Sequence, residues 1–253
     1  METFLNLLPP DLGPSAAIIL LTMSYAGSLI TVAFGIGGGA LLLAVMAVLM
    51  PPLALIPVHG VVQLGSNLGR AGIFARHTLW AILPWFIVGS VVGVAIGGSI
   101  AVTIEPWLVQ SGVGLFIIWS VLARPPRWLS RWPVITGLIA SFLSMFFGAT
   151  GVFVANFSKA LTLPRHRYVA THATLMTVQH LLKSIAFFTL GFAFGSWLPF
   201  MIAMIATGLL GTMTGNLVLR RMSDARFNHA LNFVLVVIAI RLIWSGLSEG
   251  LGG

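Results

Sequence analysis

The feature that leaves this chain the fewest options is a series of apolar runs of about 20 residues, recurring from one end to the other. Each is long enough to cross about 30 Å of hydrocarbon. In lipid every backbone polar group must be satisfied by the chain itself, so only helices and closed barrels can span. A barrel would read as short segments of alternating polarity, whereas these runs are continuous. The composition agrees, with 58% hydrophobic and only 7% charged residues and a mean hydropathy of +1.04. The expectation is an all-α polytopic membrane protein forming one membrane domain over residues 1–253.

Charge is scarce and one-sided. Thirteen basic residues stand against five acidic ones, giving +8. Most of the Lys and Arg fall in short loops between spans, so topology explains the excess and nucleic acid is not needed as a partner. Glu2, Asp11, Glu105, Asp224 and Glu249 all lie at chain ends or in loops, which leaves no carboxylate inside a span. Without cysteine there is no thiolate metal site or thiol redox chemistry, and neither a metal nor a cofactor is expected. The N-terminus lacks a basic n-region, so the first span is expected to insert uncleaved.

Glycine organises what remains. Residues 16–34 run into PheGlyIleGlyGlyGlyAla at 34–40, a density of glycine that a regular helix does not hold. A short apolar piece follows at 40–50, then ProPro at 51–52 and spans near 57–75, 79–100 and 106–122. A basic linker, 123–132, carries Arg124, Arg127 and Arg131. The plan then repeats: 134–147, the break PheGlyAlaThrGly at 147–151, a short piece at 152–163, ProArgHisArg at 164–167, and spans near 168–190, 196–219 and 228–248. Laying Gly35 on Gly148 sets His59 on His172, Asn67 on His180 and Arg70 on Lys183 without a gap. This predicts two repeats, about 16–122 and about 133–248. Basic loops face the cytoplasm, which puts 124–131, 164–167 and 220–226 on one side. The two halves then run in opposite senses. The prediction is an inverted repeat, each half a glycine-broken hairpin plus three transmembrane helices. Full crossing and re-entry of the hairpins stay open.

Each half carries a polar stripe on one helical face: His59, Gln63, Ser66, Asn67 and Arg70 in the first, His172, Met176, Gln179, His180 and Lys183 in the second. Ionisable residues in a membrane helix are costly and mark functional sites. Arg offers a planar fork and Lys a compact charge, and both suit oxyanions. A small anion near the midplane could meet Arg70 from the cytoplasmic side and Lys183 from outside. Ser66, Asn67, Gln179 and His180 would supply neutral donors between them. The alternative is that Arg70 snorkels and the histidines bond backbone carbonyls. After each glycine break a helix restarts, near Gly37, Gly38 and Gly39 and near Thr150 and Gly151. Such N-termini present free N–H groups and a positive dipole end to anions, although small residues also serve close packing. Arg241 reads as snorkelling outward, and His166 as a solvated loop residue. Trp80, Trp85, Trp107, Trp128, Trp132, Trp197 and Trp244 read as an interfacial belt.

PheGlyIleGlyGlyGly after the first span, the short helix ending at proline, the polar-striped helix and a diverged second copy together resemble the sulfite exporter TauE/SafE family. The resemblance implies a multi-pass permease of the bacterial inner membrane for sulfur-containing and related organic anions, such as sulfite, sulfonates and sulfoacetate. The second copy departs from the family pattern: GlyAlaThrGly replaces the fuller glycine run, and histidines stand where a threonine–serine pair is expected. The expected function is a secondary transporter of small oxyanions working by alternating access, with His59 and His172 on the access paths. A passive anion channel is the first alternative. An intramembrane enzyme using Ser66 or Ser141 is the second, weakened because no carboxylate orients a histidine. A histidine proton relay, with an unperturbed pKa of about 6.5, and uniport both stay open. The expected partners are a small anionic substrate and the bilayer, and a homodimer stays open.

Overall fold

The structure is a computed structural model and describes residues 8–9, 12–34, 37–101, 105–122, 131–148, 150–218 and 225–251. Among these residues there are ten α-helices and no strands: α1 (Pro14–Phe34), α2 (Gly38–Leu49), α3 (Pro52–Phe74), α4 (Leu83–Ala101), α5 (Pro106–Leu122), α6 (Pro133–Phe147), α7 (Gly151–Ala160), α8 (Arg165–Thr189), α9 (Leu198–Val218) and α10 (Ala225–Leu251). Most of the basic linker, residues 123–130, lies outside the described residues, as do Arg220, Arg221 and the side chain of Arg226.

Both glycine breaks end one helix and start another. At the first, Gly37 has φ 106° and at the second Gly148 has φ 69°, backbone that L side chains rarely adopt. Phe34 and Phe147 close α1 and α6, Gly38 and Gly151 open α2 and α7, and Pro52 and Arg165 open α3 and α8. Each of these pairs is separated by 113 positions. The short helices do not cross hydrocarbon. At 1.5 Å per residue α2 reaches about 18 Å and α7 about 15 Å.

Three expectations change. The third span starts at Pro52, not near 57, so Pro57 lies inside α3. Proline at the first helical position is pre-organised for a helix start, and an interior proline is tolerated in membrane helices because neighbours satisfy the freed carbonyl. The segment 164–167 is not all loop: α8 starts at Arg165, and His166 sits exposed in its first turn beside Phe74 and His77. Trp197 is 6% exposed and packs in the core, unlike Trp80, Trp85, Trp132 and Trp244, which point outward. Trp128 lies outside the described residues.

Among the described residues, four helices are long and apolar enough to cross a membrane: Pro14–Phe34, Trp80–Ala101, Phe194–Gly215 and Leu231–Leu251. They present outward rows such as Val88, Val91, Val92 and Ile96 on α4 and Phe233, Val237 and Ile240 on α10. Such rows would be aggregation-prone in water and suit lipid. The striped helices α3 and α8 are shielded instead. They pack against each other, α9 also lies on α3, and α4 lies on α8. Their contacts run in opposite directions along the chain: Phe74 meets His166, and His59 meets His180. The two helices are therefore antiparallel and cross near Gln63 and Met176.

The remaining packing has a paired form. α4 packs on α6 and α9 packs on α1, while α5 and α10 pack on each other. The α4–α6 seam closes through small residues. A Cβ on Gly89 or Gly93 would overlap the carbonyl oxygens of Val134 or Leu138. The α9–α1 seam does the same at Gly211, against the carbonyl of Tyr25. Each short helix sits in its own apolar cluster. Leu43 and Met46 of α2 belong to one, and Phe153, Val154 and Phe157 of α7 to the other.

Candidate functional site

Along α3 the stripe becomes a hydrogen-bond relay, because residues three and four apart share a face. Arg70 Nη1 donates to Asn67 Oδ1 at 3.0 Å, and Asn67 Nδ2 donates to the Gln63 carbonyl at 2.8 Å. Gln63 Nε2 lies 3.3 Å from His59 Nε2, which is itself 3.2 Å from the carbonyl oxygen of Gly39. The same imidazole nitrogen thus faces an acceptor and a donor. A proton on Nε2 serves the carbonyl, and a bare Nε2 accepts from the amide. The last contact ties the relay to the tip of the first hairpin. Arg70, Asn67 and His59 are at most 3% exposed, and the Nε of Arg70 has no protein partner.

The second hairpin is tied in the same way. Gln179 of α8 donates to Thr150 Oγ1 at 2.6 Å, at the start of α7, and reaches the Ala140 carbonyl of α6 at 3.4 Å. A Cβ on Gly39 would fall 2.7 Å from Gln63, and one on Gly151 would fall 3.4 Å from Met176. Both helix starts therefore stand at the level where α3 and α8 cross.

Around this point lies a cavity of ≈ 480 Å³. Its cations are Arg70 and Lys159. Its imidazoles are His59, His172 and His180, and Gln63, Asn67 and Asn232 bring amides. Gly37 and Gly39 from the first tip and Gly148 and Gly151 from the second complete the polar wall. Phe34, Met176, Leu231 and Leu235 supply an apolar part. His59 and His180 stand edge to face with ring centroids 6.0 Å apart, and His172 stacks on Tyr168 at 5.9 Å. The mouth is on the side of Arg165, where Lys159 and Asn232 are exposed. There Arg165 Nη2 donates to the Ala33 carbonyl at 2.6 Å, pinning the end of α1 to the start of α8. That position favours a cation, since helix C-termini carry negative partial charge.

The structure thus brings His59, Gln63, Asn67, Arg70, His172, His180, Gly37, Gly39 and Gly151 to one cavity. The other predicted site residues lie elsewhere. Gly38 is sealed against Gly27, where a Cβ would overlap the Gly27 carbonyl oxygen. The hydroxyl of Ser66 turns to the α1–α9 seam, where Ser24 and Ser28 also surround Gly208. Gln179 and Thr150 are fully buried on each other. Lys183 is 0% exposed, its Nζ has no protein hydrogen-bond partner, and its stem lies against Gly60 of α3.

Lys159 was missed. It stands in the last turn of α7, in a segment read only as a short apolar piece, and its counterpart 113 positions earlier is the apolar Met46. A lysine in an otherwise apolar stretch was the available signal. Among the described residues the acids Glu105 and Glu249 are exposed at helix ends. Among those residues, the cavity therefore has cations and neutral donors but no carboxylate. No group of His, Cys, Asp or Glu among the described residues is arranged to hold a metal ion.

The sequence matches the family model described as Sulfite exporter TauE/SafE over residues 19–242. No curated protein and no solved structure matches it.

Proposed function

The chain belongs to the sulfite exporter TauE/SafE family, a family of membrane transporters, and on that basis we propose that it carries small organic or inorganic oxyanions by alternating access. Sulfur-containing anions such as sulfite, sulfonates and sulfoacetate come first, and the membrane is the bacterial inner membrane. One observation carries this reading: the cavity where α3 and α8 cross gathers a buried guanidinium, two helix starts and neutral donors around a space of ≈ 480 Å³, with no acidic side chain among its lining residues. A buried cation needs a partner, and here an anion is the partner that fits. Helix N-termini and Arg forks are the chemistry that oxyanions select. The apolar flank of Phe34, Met176 and Leu235 suits the carbon part of an organic anion.

The inverted repeat is supported by the antiparallel crossing of α3 and α8 and by the paired packing, α4 on α6 and α9 on α1. A cavity with its mouth on one side favours a carrier over a passive channel, which would need a continuous pore. The enzyme alternative loses ground because the family is one of transporters and Ser66 faces a helix seam. His59, His172 and His180 line the space and keep both proton coupling and uniport in play. Purified protein in proteoliposomes tests the proposal. Saturable uptake of labelled sulfoacetate with counterflow is expected, and uptake that rises linearly with concentration and lacks counterflow would overturn it.

A further inference from the structure

Arg70 and Lys183 occupy matched positions, 113 residues apart, yet the structure treats them differently. Arg70 faces the cavity. Lys183 is equally buried but shut out of it, without a hydrogen-bond partner. Because α3 and α8 cross antiparallel near Gln63 and Met176, the two Cα positions lie about 10 Å to either side of the crossing. Helical side chains lean toward the N-terminus of their own helix, so both cations lean toward the centre. Lys183 accordingly lies against Gly60, where a Cβ would be 2.9 Å from its Cε and 3.5 Å from Ser184 Oγ. The matched position on α8 is Ala173, also small and fully buried. One helical turn beyond each cation stands a phenylalanine, Phe74 after Arg70 and Phe187 after Lys183. A second, narrow void of ≈ 60 Å³ opens beside Phe187 and Pro57, on the side away from the main mouth.

We propose that Lys183 heads a second oxyanion half-site, the counterpart of Arg70's, which takes the anion when the molecule opens to the other side. The inference rests on the oxyanion-carrier reading above. In this arrangement Arg70 and Lys183 hold the anion in turn, not together. Gly60 is the slot that stores the lysine stem while the Arg70 side is open, and Ala173 stores the arginine stem in the opposite state. An unpaired buried ammonium is costly. Its position is better explained by a ligand met in another conformation than by packing alone.

The chain contains no cysteine, so single-cysteine variants report accessibility without background. Asn232→Cys marks the open mouth, and Ser184→Cys marks the Lys183 side while leaving both cations in place. Inside-out and right-side-out vesicles are treated with a membrane-impermeant maleimide, with and without sulfoacetate. N232C is expected to label from the Lys159 side and S184C from the opposite side only. Adding Gly60→Ala should raise the S184C rate about tenfold and lower the N232C rate, because filling the slot shifts the population between the two open states. Labelling of S184C from the Lys159 side, or no change with G60A in a variant that still transports, overturns the second half-site. If sulfoacetate changes neither rate and is not transported, the oxyanion reading itself fails, so the two failures are separable.

Discussion

Arg70→Gln is the most direct perturbation. Arg70 is 2% exposed, and its hydrogen bond to the protein is the one to Asn67 Oδ1 at 3.0 Å. Gln can keep that bond through its amide, so the relay through Asn67, Gln63 and His59 has no reason to collapse. What is lost is the charge and the fork facing the cavity. A hydrogen bond to a charged group contributes about 1.5–3 kcal/mol. At about 1.4 kcal/mol per tenfold this predicts binding weaker by about 10- to 150-fold. Arg70→Lys keeps the charge and loses the bidentate geometry, so it should fall between wild type and R70Q. Calorimetric titration of sulfoacetate into purified protein gives Kd, and counterflow in proteoliposomes gives KM. If R70Q elutes as a folded protein and its Kd stays within about twofold of wild type, Arg70 does not hold the anion and the site is misassigned.

Lys159→Gln should raise KM for a dianion about 2- to 5-fold and for a monoanion less, and the difference should fade at high ionic strength; uptake at two salt concentrations checks this. Gly38→Ala would drive a Cβ into the Gly27 carbonyl oxygen and should destabilise the first hairpin by about 1–3 kcal/mol, seen as a lower unfolding temperature in detergent. Thr150→Val removes the acceptor of a 2.6 Å bond from the buried Gln179 and should cost about 1–3 kcal/mol by the same assay. Arg165→Ala frees the Ala33 carbonyl at the end of α1. A smaller loss is expected, about 1 kcal/mol, since Arg165 is exposed.

Much of the fold could be read because lipid is a strict solvent. Apolar runs had to be helices, and glycine and proline placed their ends. Pro106 and Leu122 bound α5 as expected, and the matched helix ends at Phe34 and Phe147 keep the 113-residue offset. After the striped helices the offset drifts, where loops differ: Leu83 and Leu198 open α4 and α9, 115 apart. The site was legible as a stripe but not as a cavity. Helical periodicity tells which residues share a face, and α3 and α8 turn part of that face toward other helices. Ser66 meets Gly208 and Lys183 meets Gly60, contacts that depend on which helix lies alongside. Lys159 escaped because it has no counterpart in the first half, so alignment of the halves gave it no weight.

The exchange of partners, α4 with α6 and α9 with α1, also bears on biogenesis. When the first half has been made, the small-residue face of α4 at Gly89 and Gly93 has no helix to receive it until α6 is synthesised. The face of α1 at Tyr25 waits longer still, for α9. On this packing the first half is expected to wait in lipid for the second, and neither half is expected to fold alone. The two expressed as separate chains should find each other through these seams, each threading its first helix onto the other.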